Sequence, residues 1–368
     1  MKKRILIVQN RLSFGGTTSI IMFLVRNLSN EYIFDLFSFD ESDDGLEKEF
    51  LSYGGSIIRN NKYHISNGKK GKIKKYWYRS FGIFGKSLKK QVQQHYDAIH
   101  CFEENLSAYY LKVAKLLGIE KRIVHYNIDH TTKKRTNLIN RILENKEIKM
   151  VNKYATDIIG CSSKSIPISL LESKKIKKIN NPIAEKYSFC PAAPKALSLL
   201  QIGRICDNKN QLFSLEILVA LLNKFNSSNL TISFVGQIDD SDRTYYNDLL
   251  AYISKNNLQS YVNFYNPTQN LMPLMEQSTF LLFPSKEESF GMVLIEAQSV
   301  GLHCFSSLAA PAETNLGGVT YTKLSDGPSM WADKISTFYE QTMGERKNFD
   351  TSSFSPKNII AEYRKLYE

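Results

Sequence analysis

The stretch PSKEESFGMVLIEAQSVG, residues 284–301, decides the fold because three kinds of signal meet in it. It follows the apolar run Thr279-Phe280-Leu281-Leu282-Phe283, which reads as a buried strand that Pro284 and Ser285 stop. A charged turn comes next, and the apolar segment Met292 to Val300 reads as a helix closed by Gly301. Glu288 falls in the strand-to-helix loop, and Glu296 lies about one and a half turns into the helix. Ser289 is expected to cap that helix, leaving the backbone N–H groups of Phe290, Gly291 and Met292 unpaired. Carboxylate acceptors beside free amides, at the positive end of a helix and the carboxyl edge of a sheet, suit a polar anionic ligand.

Upstream, the same alternation of strand and helix begins with LSLLQI and GRICDNKN, residues 203–210. Gly203 turns the chain there, and Arg204 and Lys209 follow before the next helix, a placement that could neutralise a diphosphate. A G-R-x₄-K-N string alone also reads as an ordinary solvated turn; its weight comes from sharing a domain with Glu288 and Glu296. Strands are expected at Ala196–Ile202, Thr231–Val235, Val262–Phe264, Phe280–Phe283 and His303–Ser306. Helices are expected at Gln211–Phe225, Arg243–Asn256, Leu271–Gln277 and Met292–Val300.

The N-terminal half repeats the scheme. Arg4 to Gln9 reads as a continuous buried strand of a parallel sheet, followed by Gly15-Gly16 and the amphipathic helix TTSIIMFLVRNLSN. Further strands are expected at Tyr32–Phe39, Ser56–Ile58, Ala98–Cys101, Arg122–Tyr126 and Asp157–Cys161, with helices at Ser107–Leu117 and Arg135–Tyr154. Asn180-Asn181-Pro182 and Cys190-Pro191-Ala192-Ala193-Pro194 break the pattern, which places a linker around 181–195. The expected architecture is α/β, with two Rossmann-like domains facing across a cleft that holds the ligand. The domains expected are 1–181, with a terminal helix at 354–368 packing back on it, and 182–353.

Composition narrows the classes. The chain has 368 residues, 42% of them apolar, enough for two cores. The apolar run Ile5 to Val8 is too short for a signal peptide, and no window approaches a membrane span. Five cysteines without a C-x-x-C pair argue for a reducing cytosol. Residues 1–187 carry 34 Lys and Arg against 18 Asp and Glu, and the remainder 14 against 18. Two modules with different partners follow from that asymmetry.

GRICDNKN, the SKEESFGMVLIEAQSVGL stretch, the N-terminal glycine pair and FVGQ, which carries Gly236, together resemble the retaining family-4 glycosyltransferases of GT-B architecture. The likeness is to bacterial enzymes that build capsular or extracellular polysaccharide. It covers nearly the whole chain and is strongest over 196–310. It implies a nucleoside-diphosphate sugar donor, UDP-linked, and a lipid-linked glycan acceptor, with retention of anomeric configuration and no cofactor or essential metal. By the same resemblance, Arg204 and Lys209 hold the diphosphate, with Gly203 and Gly236 at the donor. Glu288 contacts the sugar with Ser289 and the amides of Phe290, Gly291 and Met292, and Glu296 takes the ribose hydroxyls. Gly16 lets the first helix approach the phosphates, and His125, taken as a loop residue, handles a proton or orients the acceptor. Two positions depart from the pattern: Thr18 stands where a glutamate is usual, and His303 where a proline is usual.

Without the resemblance, Glu296 could pair with a base and His125 would be a structural histidine. Of the remaining histidines, only His100 is a weaker candidate; His64, His95, His130 and His303 receive no role. Gly85-Lys86-Ser87 lacks the glycine spacing and preceding strand of a phosphate loop, and Asp240-Ser241-Asp242 reads as a helix cap, not a metal site. Lys69 to Lys90 carries nine Lys and Arg interleaved with aromatics. It reads either as a solvated helix face or as a contact with an anionic membrane surface, which would place the protein in the cytoplasm at the inner face of the cell membrane. No nucleic-acid-binding motif occurs. Other functions open on this architecture are a non-catalytic partner subunit, an inverting transferase or a nucleotide-sugar epimerase.

Overall fold

The computed structural model describes all residues except 1, 14, 41–44, 61–68, 93, 128–137, 193, 195, 226–229, 239 and 269. His64, His130 and the first residues of the helix expected from Arg135 lie outside the described residues. The chain divides into two compact units, Met1–Pro182 with Lys357–Glu368, and Ile183–Pro356.

Unit 1 is built on seven strands: β1 (Lys3–Val8), β2 (Tyr32–Ser38), β3 (Ile57–Arg59), β4 (Ala98–Cys101), β5 (Lys121–Tyr126), β6 (Asp157–Gly160) and β7 (Ile176–Lys178). They form one parallel sheet in the order β3-β2-β1-β4-β5-β6-β7. The central strand needs no polar face, because helices cover both sides: Ile5, Leu6, Ile7 and Val8 are all buried. The helices are α1 (Gly16–Leu28), α2 (Leu46–Ser52), α3 (Lys69–Phe81), α4 (Ile83–Gln91), α5 (Ser107–Leu116) and α6 (Leu138–Tyr154). The last helix of the chain, α12 (Pro356–Tyr367), also packs on this sheet. Its Ile359, Ile360, Tyr363 and Tyr367 join the core of β1, β2 and α1, and Arg364 grips Glu31 at 2.6 Å.

Unit 2 has six parallel strands, β8 (Ser198–Ile202), β9 (Thr231–Val235), β10 (Val262–Tyr265), β11 (Phe280–Phe283), β12 (His303–Ser306) and β13 (Val319–Tyr321), in the order β10-β9-β8-β11-β12-β13. Helices α7 (Gln211–Phe225), α8 (Arg243–Lys255), α9 (Met272–Glu276), α10 (Met292–Val300) and α11 (Gly327–Thr342) complete it. Trp331 of α11 is fully buried and donates its indole N–H to the Lys323 carbonyl at 3.0 Å. No helix among the described residues is long and apolar enough to cross a membrane.

Candidate functional site

In unit 2 the sheet order reverses between β8 and β11, which pair directly through Phe280–Leu199 and Leu281–Leu200. Open parallel sheets take their ligands at such a reversal, beyond the carboxyl ends of the strands. The two loops leaving β8 and β11 there are the GRICDNKN and SKEESFG stretches. Distant in sequence, they are tied together along their lengths. Lys286 donates its backbone N–H to the Asn208 carbonyl at 2.8 Å. The Asn208 amide donates to the Glu287 carbonyl at 3.0 Å and accepts the Glu287 N–H at 3.1 Å. Asn210 donates to the Pro284 carbonyl at 3.2 Å, and Lys286 pairs with Asp207 at 2.6 Å.

The loop after β8 is held from below as well. Gln201 donates to the Lys209 carbonyl at 2.6 Å and accepts from Ser214 of α7 at 2.7 Å, so a buried amide fixes where Lys209 leaves the sheet. Gly203 and Gly236 are pressed together: a Cβ on Gly236 would lie 1.9 Å from the Gly203 carbonyl oxygen. Glycine is required at 236 by this approach, which sequence alone could flag only through its place after a strand. Lys209 ion-pairs with Glu288, and its Nζ sits 5.1 Å from the Phe283 ring centroid. Arg204 is exposed. Thus two cations and one carboxylate converge on the reversal point, with Lys209 already charge-paired and only part-exposed.

At the start of α10 the cap residue is Gly291, with φ +89°, and not Ser289 as expected. A glycine takes that left-handed conformation without the strain a side chain would impose. Glu288 folds back so that its other oxygen accepts the Ser289 N–H at 3.2 Å. Phe290 is buried and packs near Phe354, anchoring the turn that precedes the helix. Glu296 is partly exposed by area but walled in by protein, and burial pushes its carboxyl up to about 7, opposed by Lys186. Among the described residues no side chain hydrogen-bonds that carboxyl. Near neutral pH it can therefore both donate and accept a hydrogen bond, which suits a diol.

Unit 1 treats its expected residues differently. His125 lies within β5, not in a loop, and is fully buried. Its ring stacks 5.6 Å from His100 and 5.0 Å from Phe102, and neither ring nitrogen has a partner. Burial pushes its pKa down to about 3, so it is neutral at neutral pH and sealed from any acceptor hydroxyl in this arrangement. His100, equally buried, bonds Tyr367 of α12 at 2.8 Å through Nδ1. Gly16 opens α1 with nothing within 4 Å of a Cβ placed on it, so space does not demand glycine there. Thr18 is buried in α1.

The two dismissed motifs are also placed. Gly85, Lys86 and Ser87 lie inside α4, with Ser87 bonding the Phe84 carbonyl at 2.6 Å, a helix interior and not a phosphate loop. Asp240–Asp242 forms a single 3₁₀ turn before α8, where Asp242 takes the cap position without a side-chain cap bond. Among the described residues, no three His, Cys, Asp or Glu side chains come together as a metal site.

Residues 196–341, the span containing Arg204, Lys209, Gly236, Glu288 and Glu296, match the family described as Glycosyl transferases group 1. The chain carries a glycosyl transferases group 1 domain. Over its whole length it is 24% identical to the capsular polysaccharide biosynthesis glycosyltransferase CapH of Staphylococcus aureus, covering 99% of this chain and 98% of that one. A shorter match, 32% identical over 35% of this chain and 33% of the relative, is to the GDP-mannose:cellobiosyl-diphosphopolyprenol alpha-mannosyltransferase of Xanthomonas campestris. Among solved structures, Anabaena HepE in complex with UDP and glucose aligns with a TM-score of 0.72 at 15% identity, covering 98% of each chain. Two parallel-sheet Rossmann-like units make the fold that of the GT-B glycosyltransferases.

Proposed function

We propose that the glycosyltransferase uses a UDP-sugar and moves its hexosyl or N-acetylhexosaminyl group, with retention, to a hydroxyl of a lipid-linked or growing polysaccharide. The observation that carries this reading is the convergence of Arg204, Lys209, Glu288 and the uncapped start of α10 at the sheet reversal of unit 2. As the bond from the anomeric carbon to the phosphate oxygen breaks, charge grows on the departing diphosphate. Arg204 and Lys209 are placed to balance it, without a metal ion. Lys209 would then share its contact between diphosphate and Glu288, whose carboxylate takes sugar hydroxyls, while Glu296 takes the ribose diol. The acceptor oxygen forms the new bond to the anomeric carbon, and its proton leaves to the diphosphate oxygen. His125 is left out of that step because its ring is sealed in β5. The UDP complex of Anabaena HepE supports the choice of nucleotide.

Membrane attachment belongs to the same proposal. On α3, Trp77 and Phe81 are more than half exposed with their rings 5.0 Å apart, on a helix expected to dock on an anionic surface. On α6, Leu138, Ile139 and Ile142 are likewise exposed, and Lys146, Lys149 and Lys153 follow along that helix. Apolar side chains beside lysines are what an anionic bilayer surface takes up.

Thermal-shift titration with UDP, GDP, ADP and TDP tests the donor assignment. UDP should raise Tm most, by mass action on the native state, and Arg204→Ala should abolish the rise. A larger rise with GDP would transfer the assignment to guanosine donors, and no rise with any nucleotide would overturn it.

A further inference from the structure

The loop after β8 carries both cations of the candidate site, Arg204 near its start and Lys209 near its end, and a buried glutamine lies behind each. Gln201 of β8 donates to the Lys209 carbonyl at 2.6 Å. Gln211, the first residue of α7, donates from Nε2 to the Arg204 carbonyl at 2.9 Å. On either side of Arg204 the chain is tied to the end of β9: Gly203 donates its N–H to the Val235 carbonyl and Ile205 to the Gln237 carbonyl, each at 2.9 Å. Two of the first amides of α7 are already spent, Leu212 on the Tyr245 hydroxyl and Phe213 on the Asn210 carbonyl, both at 3.1 Å. What the loop can offer an anion is then the side chains of Arg204 and Lys209.

The two glutamines are not equivalent. Gln201 also accepts the Ser214 hydroxyl at 2.7 Å, so both ends of its amide are answered. Gln211 has one end answered: its Oε1 is buried and accepts no hydrogen bond among the described residues. The amide cannot turn to relieve this, because turning would set Oε1 against the Arg204 carbonyl oxygen, acceptor against acceptor. A buried acceptor without a donor loses its solvation and gains nothing in return. A methionine or leucine would fill the same space without that loss, so packing alone does not account for a glutamine at 211. What the glutamine adds over an apolar residue is an N–H aimed at one carbonyl. Departures from local rules of this kind belong where a site requires them.

We propose that Gln211 is a positioning residue: its amide sets the peptide of Arg204, and through it the direction in which the guanidinium leaves the loop toward a bound diphosphate. This rests on the reading of Arg204 as a diphosphate contact. The Arg204 side chain is exposed, so the orientation of its own backbone is what the protein controls. A planar guanidinium recognises paired phosphate oxygens only when it is presented to them in one orientation. A swing of its peptide therefore weakens binding without removing any charge.

Gln211→Met, with Gln211→Leu as a second apolar replacement, tests it on the full chain, with UDP and uridine as probes. Affinity for UDP, measured by calorimetry, should fall about tenfold in both variants, the order expected when one charge-assisted contact is misdirected. Uridine, followed by saturation-transfer NMR, should bind as it does to the parent. Tm without ligand should be unchanged or higher, because the unanswered acceptor is gone. In an Arg204→Ala background, Gln211→Met should cost no further UDP affinity, since the two residues act as one unit. UDP affinity that survives Gln211→Met and Gln211→Leu, a parallel loss of uridine binding, or an independent further loss in the Arg204→Ala background would overturn the proposal. An Arg204→Ala protein that keeps full UDP affinity sinks the diphosphate reading itself. Loss of UDP in Arg204→Ala with none in the Gln211 variants sinks this proposal alone.

Discussion

The two sheet reversals of this molecule are the same topological device finished in opposite ways. In unit 2 the loops beyond β8 and β11 are tied to each other through Asn208, Asn210 and Lys286, and the central cation is paired with Glu288 before any ligand arrives. In unit 1 the corresponding edge opens on a pocket of about 460 Å³ lined by Glu103, Glu104 and Glu144 as well as Lys75 and Arg79, with the amide oxygens of Gln9 and Asn127 unanswered. A rigid, charge-balanced site suits a charged ligand, because the protein does not have to reorganise to stabilise it. Topology therefore places a site, and the side chains at the loop ends decide what it takes.

The largest test of that contrast lies at the cations of unit 2. Arg204→Ala and Lys209→Ala should each lower kcat by about 10²–10³ in a transfer assay, the range seen when one preorganised electrostatic contact is removed. Lys209→Ala should cost more than simple loss of a charge would suggest, since it leaves Glu288 without its partner. A kcat left intact by both substitutions would break the comparison.

Next in size is Gly236→Ala. A methyl group 1.9 Å from the Gly203 oxygen cannot be accommodated, so the β8 loop must shift. The expected outcome is a lower Tm, by on the order of 5–10 °C, together with a loss of UDP response. An unchanged response would show that the 203–210 loop tolerates displacement.

The pH dependence of stability should also separate the units. His125, with its pKa pushed down to about 3, resists the proton that the unfolded chain takes up below about 6.5. The native state therefore loses stability as pH falls from about 6.5 toward 3, by at most about 1.4 kcal/mol per pH unit for this group. Glu296 runs the other way. Raised to about 7, it holds a proton that the unfolded chain releases near 4.5, so its contribution is present at low pH and lost as pH rises through about 7. His125→Phe should flatten the acid limb of Tm against pH, and Glu296→Gln should flatten the stretch between about 4.5 and 7. A Glu296→Gln protein that follows the parent curve would show that the carboxyl is ionised throughout.

The smallest effect concerns the membrane. Lys74→Glu with Lys75→Glu, or Trp77→Ser with Phe81→Ser, should reduce sedimentation with anionic vesicles several-fold at low salt, at about 1 kcal/mol per basic residue near the surface. Activity on a soluble acceptor should be unaffected by the Trp77 and Phe81 pair. Unchanged vesicle binding in both would leave these side chains as ordinary surface residues.

Much of the fold was legible because its signals were local. Continuous aliphatic strands, those of unit 2 closed by glycine or proline, each followed by a period of 3.6, gave β1, β8, β9 and β11 with the helices after them. The sheet margins were not legible. β7 is Ile176-Lys177-Lys178, which looks like part of a basic run, and β13 is three residues between turns. Each is a strand only because a neighbour offers its free edge. Ser289 looked like the cap because its type favours that role, but the turn tightened by two residues onto Gly291. The strand expected over Arg122–Tyr126 already contains His125, and the loop placement that came with the resemblance conflicts with it. The unit-1 pocket was missed although FEEN, residues 102–105, puts two carboxylates after a strand in an otherwise basic half. No local rule says that Glu144, forty residues on, comes back to meet them.

The return of α12 to unit 1 bears on how the chain acquires its shape. Tyr363 and Tyr367 cover His100 and His125, and Ile359 and Ile360 complete the apolar layer over β1 and α1. A chain made from its N-terminus therefore cannot seal that layer when residue 182 emerges. It waits, with a hydrophobic face uncovered, until residues 357–367 are free of the ribosome, so the module begun first is completed only after unit 2 has been made.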